Sequence, residues 1–277
     1  MAHSTIGFAM VASAPVSDLT GWARAPFSGG GSTYDCYEKG AGPGVVLIPE
    51  VPGITPEVLG LADHLVQQGF TVVVPSPFGV PGKAGTGGYT MRTVARLCVS
   101  SEFRAFAVGV HRPITDFLRA VAADLAARTP GKGVGVIGMC FTGGFALAVA
   151  IDDSVLASVL SQPAVPFPIS RARRLDSGMS AADFDRVAER ASAGEVCALG
   201  LRFSEDVSAP RARFDTIKKR LGDKFEIIEL DSSKGNPDGF ATGAHSVLTS
   251  EVRENPANSA YRARERVVEF LRERIAG

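Results

Sequence analysis

Apolar residues in this chain fall into short continuous runs separated by longer amphipathic stretches. The runs at 45–49, 70–74, 134–137, 155–160 and 196–203 are nearly free of charged residues, which suits strands buried on both faces of a sheet. Residues 225–230 alternate weakly and predict a last strand, and 32–38 predict an edge strand with one polar face. Between these runs the apolar positions recur at helical spacing. Val58, Leu61, Leu65 and Val66 mark a helix over 57–68, closed by Gly69. Ile114, Phe117, Leu118, Val121 and Leu125 mark another over 113–128. Helices are also expected over 91–109, 181–193, 210–221 and 257–275, whereas 78–89 and 163–179 read as irregular. Strands alternating with helices predict an α/β fold, a doubly wound and mostly parallel sheet with helices on both faces. No repeat and no second core pattern appears, so residues 1–277 are expected to form a single domain. Residues 1–44, rich in glycine, serine and proline, would be an N-terminal extension carrying the possible edge strand.

Composition narrows the function classes. Lysine plus arginine and aspartate plus glutamate both number 29, so no basic surplus points to nucleic acid. No apolar run approaches the roughly 20 residues of a membrane-spanning helix. The run 6–12 has only His3 ahead of it where an export leader would carry lysine or arginine, so a cytoplasmic protein is expected. The four cysteines, Cys36, Cys98, Cys140 and Cys197, are scattered without CxxC or zinc-ligand spacing, and neither a metal nor a cofactor is expected.

The chemistry centres on residues 133–150, GVGVIGMCFTGGFALAVA. A buried strand, a turn of small residues and an apolar helix place Cys140 at the tip of a nucleophile elbow, where Gly138, Thr142 and Gly143 leave room for crowded chain segments. The same stretch contains a literal GxGxxG, Gly133 to Gly138, but apolar residues interleave these glycines and place them inside the strand rather than in a phosphate-binding turn. No Lys-Ser or Lys-Thr follows Gly143-Gly144, so a phosphate loop is not expected either. His245 follows the last strand in a loop with Gly243, within reach of such an elbow, whereas His3, His64 and His111 follow no strand. An imidazole there can take a thiol proton and return one to a leaving group. Glu50 directly follows a buried strand, at the sheet edge where open α/β sheets bind ligands, and such a carboxylate needs a partner.

Four stretches in this order, Ile48-Pro49-Glu50-Val51-Pro52-Gly53, the Cys140 elbow, Ser204-Glu205-Asp206 and Gly243-Ala244-His245-Ser246, resemble the dienelactone hydrolase family of α/β-hydrolases. The resemblance implies a Cys140-His245-Asp206 triad. Asp206 rather than its neighbour Glu205 matches the family's acid, because Pro210 stands four residues on. It further implies that Glu50 lies near the nucleophile and helps to deprotonate it, and that the N–H groups of Val51 and Phe141 form an oxyanion hole. The substrate implied is a small ester or lactone. The alternatives are a general carboxylesterase or thioesterase on the same triad and a non-catalytic scaffold of the same fold. Thr249 stands where the best-known family members carry an arginine that pairs with the glutamate and with a substrate carboxylate. Another arginine is therefore expected to take over. Candidates are Arg104, among the arginines Arg92, Arg96 and Arg104 of 91–109, and Arg173 of the cluster Arg171, Arg173 and Arg174; Arg253 is a further possibility. The sequence leaves the oligomeric state open.

Overall fold

In a computed structural model, residues 13–276 are described; the apolar run 6–12 weighed as an export leader lies outside them. Eight strands form one sheet: β1 (Ala23–Gly29), β2 (Ser32–Lys39), β3 (Gly44–Ile48), β4 (Thr71–Pro75), β5 (Val134–Met139), β6 (Val155–Ser161), β7 (Cys197–Phe203) and β8 (Phe225–Leu230). Their order is β1-β2-β4-β3-β5-β6-β7-β8. The hairpin β1–β2 and the β2–β4 pair are antiparallel, and all the other pairs are parallel. This is the mostly parallel sheet of an α/β-hydrolase.

The apolar runs account for the layers. Every residue of β3, β4, β5 and β7 is buried. Side chains alternate across a strand, so Val46 and Ile48 face one core while Val45 and Leu47 face the other. The first core is covered by α3 (Pro113–Arg128), α4 (Gly143–Val149), α6 (Ala181–Ser192) and α7 (Arg211–Leu221), through residues such as Phe117, Phe145, Val187 and Phe214. The second is covered by α1 (Pro56–Gln67) and α8 (Ser259–Ile275), through Leu61, Leu65, Val267 and Leu271. The parallel pairing brings the carboxyl ends of β3, β5, β6 and β7 to one edge. Glu50, Cys140, Gln162 and Asp206 all follow those ends.

Three elements differ from the sequence reading. β1 was not anticipated, because ARAPFSG shows no alternation and contains Pro26; it is an exposed edge strand, the place where a sheet tolerates proline. The helix expected over 91–109 is instead α2, Gly87–Cys98. It starts on two glycines because the Thr86 hydroxyl accepts the Tyr89 N–H at 3.4 Å, and beyond it the chain turns, with Arg104 at φ 45°. The irregular 163–179 segment contains one short helix, α5 (Arg171–Leu175), capped by Ser170. Among the described residues no helix is long and apolar enough to cross a membrane.

Candidate active site

The elbow is built by crowding. Cys140 leaves β5 at φ 53°, a left-handed conformation that a non-glycine residue adopts only when its surroundings impose it. A Cβ on Gly138 would lie 2.4 Å from the Thr142 carbonyl oxygen, and one on Gly143 2.7 Å from the Cα of Pro163, so neither position accepts a larger residue. Thr142 is fully buried. Its Oγ accepts the Met139 N–H at 3.1 Å, and its own proton has the carbonyls of Met139, Ile48 and Pro49 within 3.0–3.2 Å. One threonine therefore ties the elbow to the end of β3, the segment that continues into Glu50 and Val51. Phe141 is buried among Phe78, Phe103, Phe145 and Phe167, which anchors the backbone immediately after the sulfur.

Asp206 and His245 meet across the loops that follow β7 and β8. His245 Nδ1 lies 2.7 Å from Asp206 Oδ2, and the other oxygen of Asp206 accepts the Ser208 N–H at 2.9 Å. With Nδ1 donating to the carboxylate, the opposite ring nitrogen is left for Cys140, which lines the same cavity as the imidazole. Burial pushes the His245 pKa down, but the hydrogen bond to Asp206, the neighbouring Cys140 sulfur and the negative charge of both outweigh it and raise the pKa to about 11. Glu205, the neighbour of Asp206, is exposed; its N–H donates to Ser232 Oγ at 3.1 Å and its carboxylate meets Ser204.

Glu50 is buried, and the structure departs here from the expected arginine partner. Its carboxylate accepts from Ser246 Oγ at 2.9 Å, from Gln162 Nε2 at 3.3 Å and from the Thr249 hydroxyl, all neutral donors. Glu50 and Val51 line a polar pocket of about 270 Å³ shared with Ser246, whereas Cys140 and His245 line another cavity, of about 570 Å³. Among the described residues, Arg174 is the one arginine on that second lining. Arg104 is exposed and donates to the Ser101 and His111 carbonyls at 3.3 and 3.2 Å. Arg173 donates to the Phe106 carbonyl at 3.0 Å and lies over the Phe106 ring, so it braces a wall of the cavity instead of lining it.

Two residues at the site were missed by the sequence reading. Gln162 holds Glu50 from a left-handed backbone position, φ 33°, at the end of β6; the only signal was a polar residue before Pro163 at the strand's carboxyl end. Arg202, buried on β7, donates to the carbonyls of Ala209 at 2.9 Å, Ser204 at 3.1 Å and Asp206 at 3.3 Å, which clamps the loop that carries Asp206.

The profile of the dienelactone hydrolase family matches residues 32–275. No curated protein matches the sequence. Among solved structures, the chain is similar to a dienelactone hydrolase-like promiscuous phosphotriesterase from metagenomic libraries, with TM-score 0.61 and 17% identity over 92% of this chain and 98% of that one. It is also similar to a dienelactone hydrolase from Anabaena variabilis, with TM-score 0.55 and 13% identity over 92% and 98%. An esterase from Pyrococcus furiosus gives TM-score 0.56 and 13% identity over 91% and 92%. At these identities the likeness is one of fold.

Proposed function

The chain belongs to the dienelactone hydrolase family, a family of hydrolases, and we propose that it cleaves a carboxylic ester or lactone through Cys140, His245 and Asp206 in one catalytic domain. The observation that carries this reading is the imidazole of His245, held by Asp206 at 2.7 Å and sharing a cavity wall with Cys140. His245 already holds the proton of the thiol at neutral pH, and the sulfur attacks the substrate carbonyl. The N–H groups of Phe141 and Val51, on the two segments that Thr142 ties together, receive the oxyanion. The C–O bond breaks, the proton on His245 goes to the departing alkoxide or enolate, and the acyl group remains on Cys140 as a thioester. Water, deprotonated by His245, then attacks the thioester; the acid leaves, and the proton stays on His245 beside the sulfur. Asp206 holds the ring in one tautomer throughout. None of these steps calls on a metal or a cofactor.

Glu50, with neutral partners and its own polar pocket, acts in this scheme by holding the segment of Val51 in place. Thr249 in place of an arginine favours a general carboxylesterase over a dienelactone-specific enzyme. Any substrate carboxylate would meet Arg174. The test is mass spectrometry of the protein quenched during turnover of an activated ester. The expected result is an acyl adduct on the peptide carrying Cys140, removed by hydroxylamine and absent from Cys140→Ala. Turnover by Cys140→Ala at the native rate would overturn the proposal.

A further inference from the structure

We infer that the substrate carries an apolar group much larger than a small lactone ring, and that this group occupies the cavity beside Cys140 and His245. The inference rests on the hydrolase reading above. The cavity measures about 570 Å³, and its lining is carbon-rich, with Val94, Phe106, Phe167, Ile169 and Val207 prominent. At about 30 Å³ for a water-sized group, that space takes on the order of fifteen to twenty such groups. Pockets of roughly 300–1,000 Å³ bury ligands well beyond the size of a single ring.

Exposure and rigidity point the same way. Ile169 is 71% exposed, Val207 74% and Phe106 42%, so apolar side chains stand in water around the nucleophile. An apolar patch of this kind, continuous with a reactive thiol, marks a binding surface for apolar matter. The walls are also built to persist without a ligand. Fully buried Arg112 donates to the carbonyls of Phe103, Ala107 and Gly178, and fully buried Arg213 to those of Pro163, Pro166 and Arg173. The Asp176 carboxylate accepts the N–H of Gly109 and of Gly178, each at 2.7 Å, which links the 103–110 wall to the 163–178 wall. Guanidinium groups with several backbone acceptors apiece fix the loops in place, so the cavity costs little ordering when it is filled. The neighbouring pocket at Glu50 is lined by Thr55, Glu57, Thr86, Thr90, Ser246 and Ser250 and suits polar matter.

The test uses two ester series, one lengthening the acyl chain from acetyl to octanoyl on p-nitrophenol, the other lengthening the alcohol from ethyl to octyl acetate. Burial of each CH₂ is worth a rise of roughly threefold to fourfold in kcat/KM, so kcat/KM is expected to climb by that factor per carbon over at least four carbons in one series. Ile169→Asp, at an exposed position that should not impair folding, should flatten that climb, with the melting temperature as a check on the fold. Turnover of the shortest ester with no climb in either series overturns the inference and leaves the hydrolase reading standing. So does a climb that Ile169→Asp leaves unchanged. A flat response in a dimer that Ile169→Asp dissociates assigns the patch to a second copy of the chain and likewise overturns it. Absence of turnover on every ester removes the hydrolase reading and this inference together.

Discussion

The hydroxyl of Thr249 donates to the carboxylate of Glu50, four residues beyond His245. A neutral hydroxyl therefore fills the position from which an arginine would have balanced the charge. Together with Ser246 and Gln162 it gives the buried carboxylate three hydrogen bonds, and among the described residues no counter-ion pairs with it. Such a site depends on its donors, because a buried carboxylate that loses one keeps most of its desolvation cost.

Thr249→Val should accordingly destabilise the fold by about 1–3 kcal/mol. The denaturant midpoint should move, with little change in the slope of the transition. Glu50→Gln should be milder, since the amide oxygen can accept from Ser246 and Gln162, its NH2 can donate to the Thr249 hydroxyl oxygen, and no charge is buried. An unchanged midpoint in Thr249→Val would remove the hydroxyl as a support for Glu50.

The thiols should separate by reactivity. Cys36 is buried, and burial raises its pKa to about 12; burial also raises the pKa of Cys98. Cys98 and Cys140 both line the open cavity, but only Cys140 acts on His245. Limiting iodoacetamide at neutral pH should therefore modify Cys140 first and abolish hydrolysis in step. Peptide mass spectrometry reads the site, and loss of activity with Cys140 unmodified would point to another nucleophile.

Asp206 and Glu205 are adjacent in sequence, but only Asp206 faces His245. Asp206→Asn should lower kcat by at least about a hundredfold with the fold intact, because the amide would favour the wrong tautomer. Glu205→Gln should change kcat less than about threefold, as expected for an exposed side chain outside the triad. The reverse pattern would transfer the role by one residue.

The parts of the site that the sequence made legible share one property. Cys140, His245 and Glu50 each directly follow a buried apolar run or stand in a short loop motif at one edge of the sheet, whereas the choice of Asp206 over Glu205 came from the resemblance to the family through Pro210. Gln162 also follows such a run, but nothing local reveals that its side chain reaches Glu50 across 112 residues. The buried arginines were hidden for a related reason. Arg213 reads as a polar position on an amphipathic helix, yet it is fully buried because it satisfies carbonyls of a segment some 50 residues away. Within the cluster Arg171, Arg173 and Arg174, local pattern does not separate Arg173, which braces a wall, from Arg174, which lines the cavity. The edge strand β1 escaped because its pairing with β2, not its own composition, makes it a strand.

The pH dependence of stability follows from His245. Its folded pKa is raised to about 11 against an ordinary value of 6.5. A raised histidine pKa means that the native state holds the proton more tightly than the unfolded chain does. The resulting stabilisation is fully present below about pH 6.5, declines as pH rises and is gone above about pH 11. Chemical denaturation at pH 6 and at pH 9 should show the protein less stable at the higher pH. Cys140→Ser removes the sulfur's share of the effect but leaves the Asp206 hydrogen bond, so it should reduce this difference without abolishing it. His245→Gln should remove the contribution of this group entirely. NMR titration of the imidazole supplies the independent check: the His245 resonance should stay in its protonated position through neutral pH in the native protein and titrate lower in Cys140→Ser. A resonance that titrates near pH 6.5 in the native protein would show that Asp206 and Cys140 do not hold the proton on the ring, and the thiol would then have to give up its proton to a neutral imidazole as the sulfur attacks.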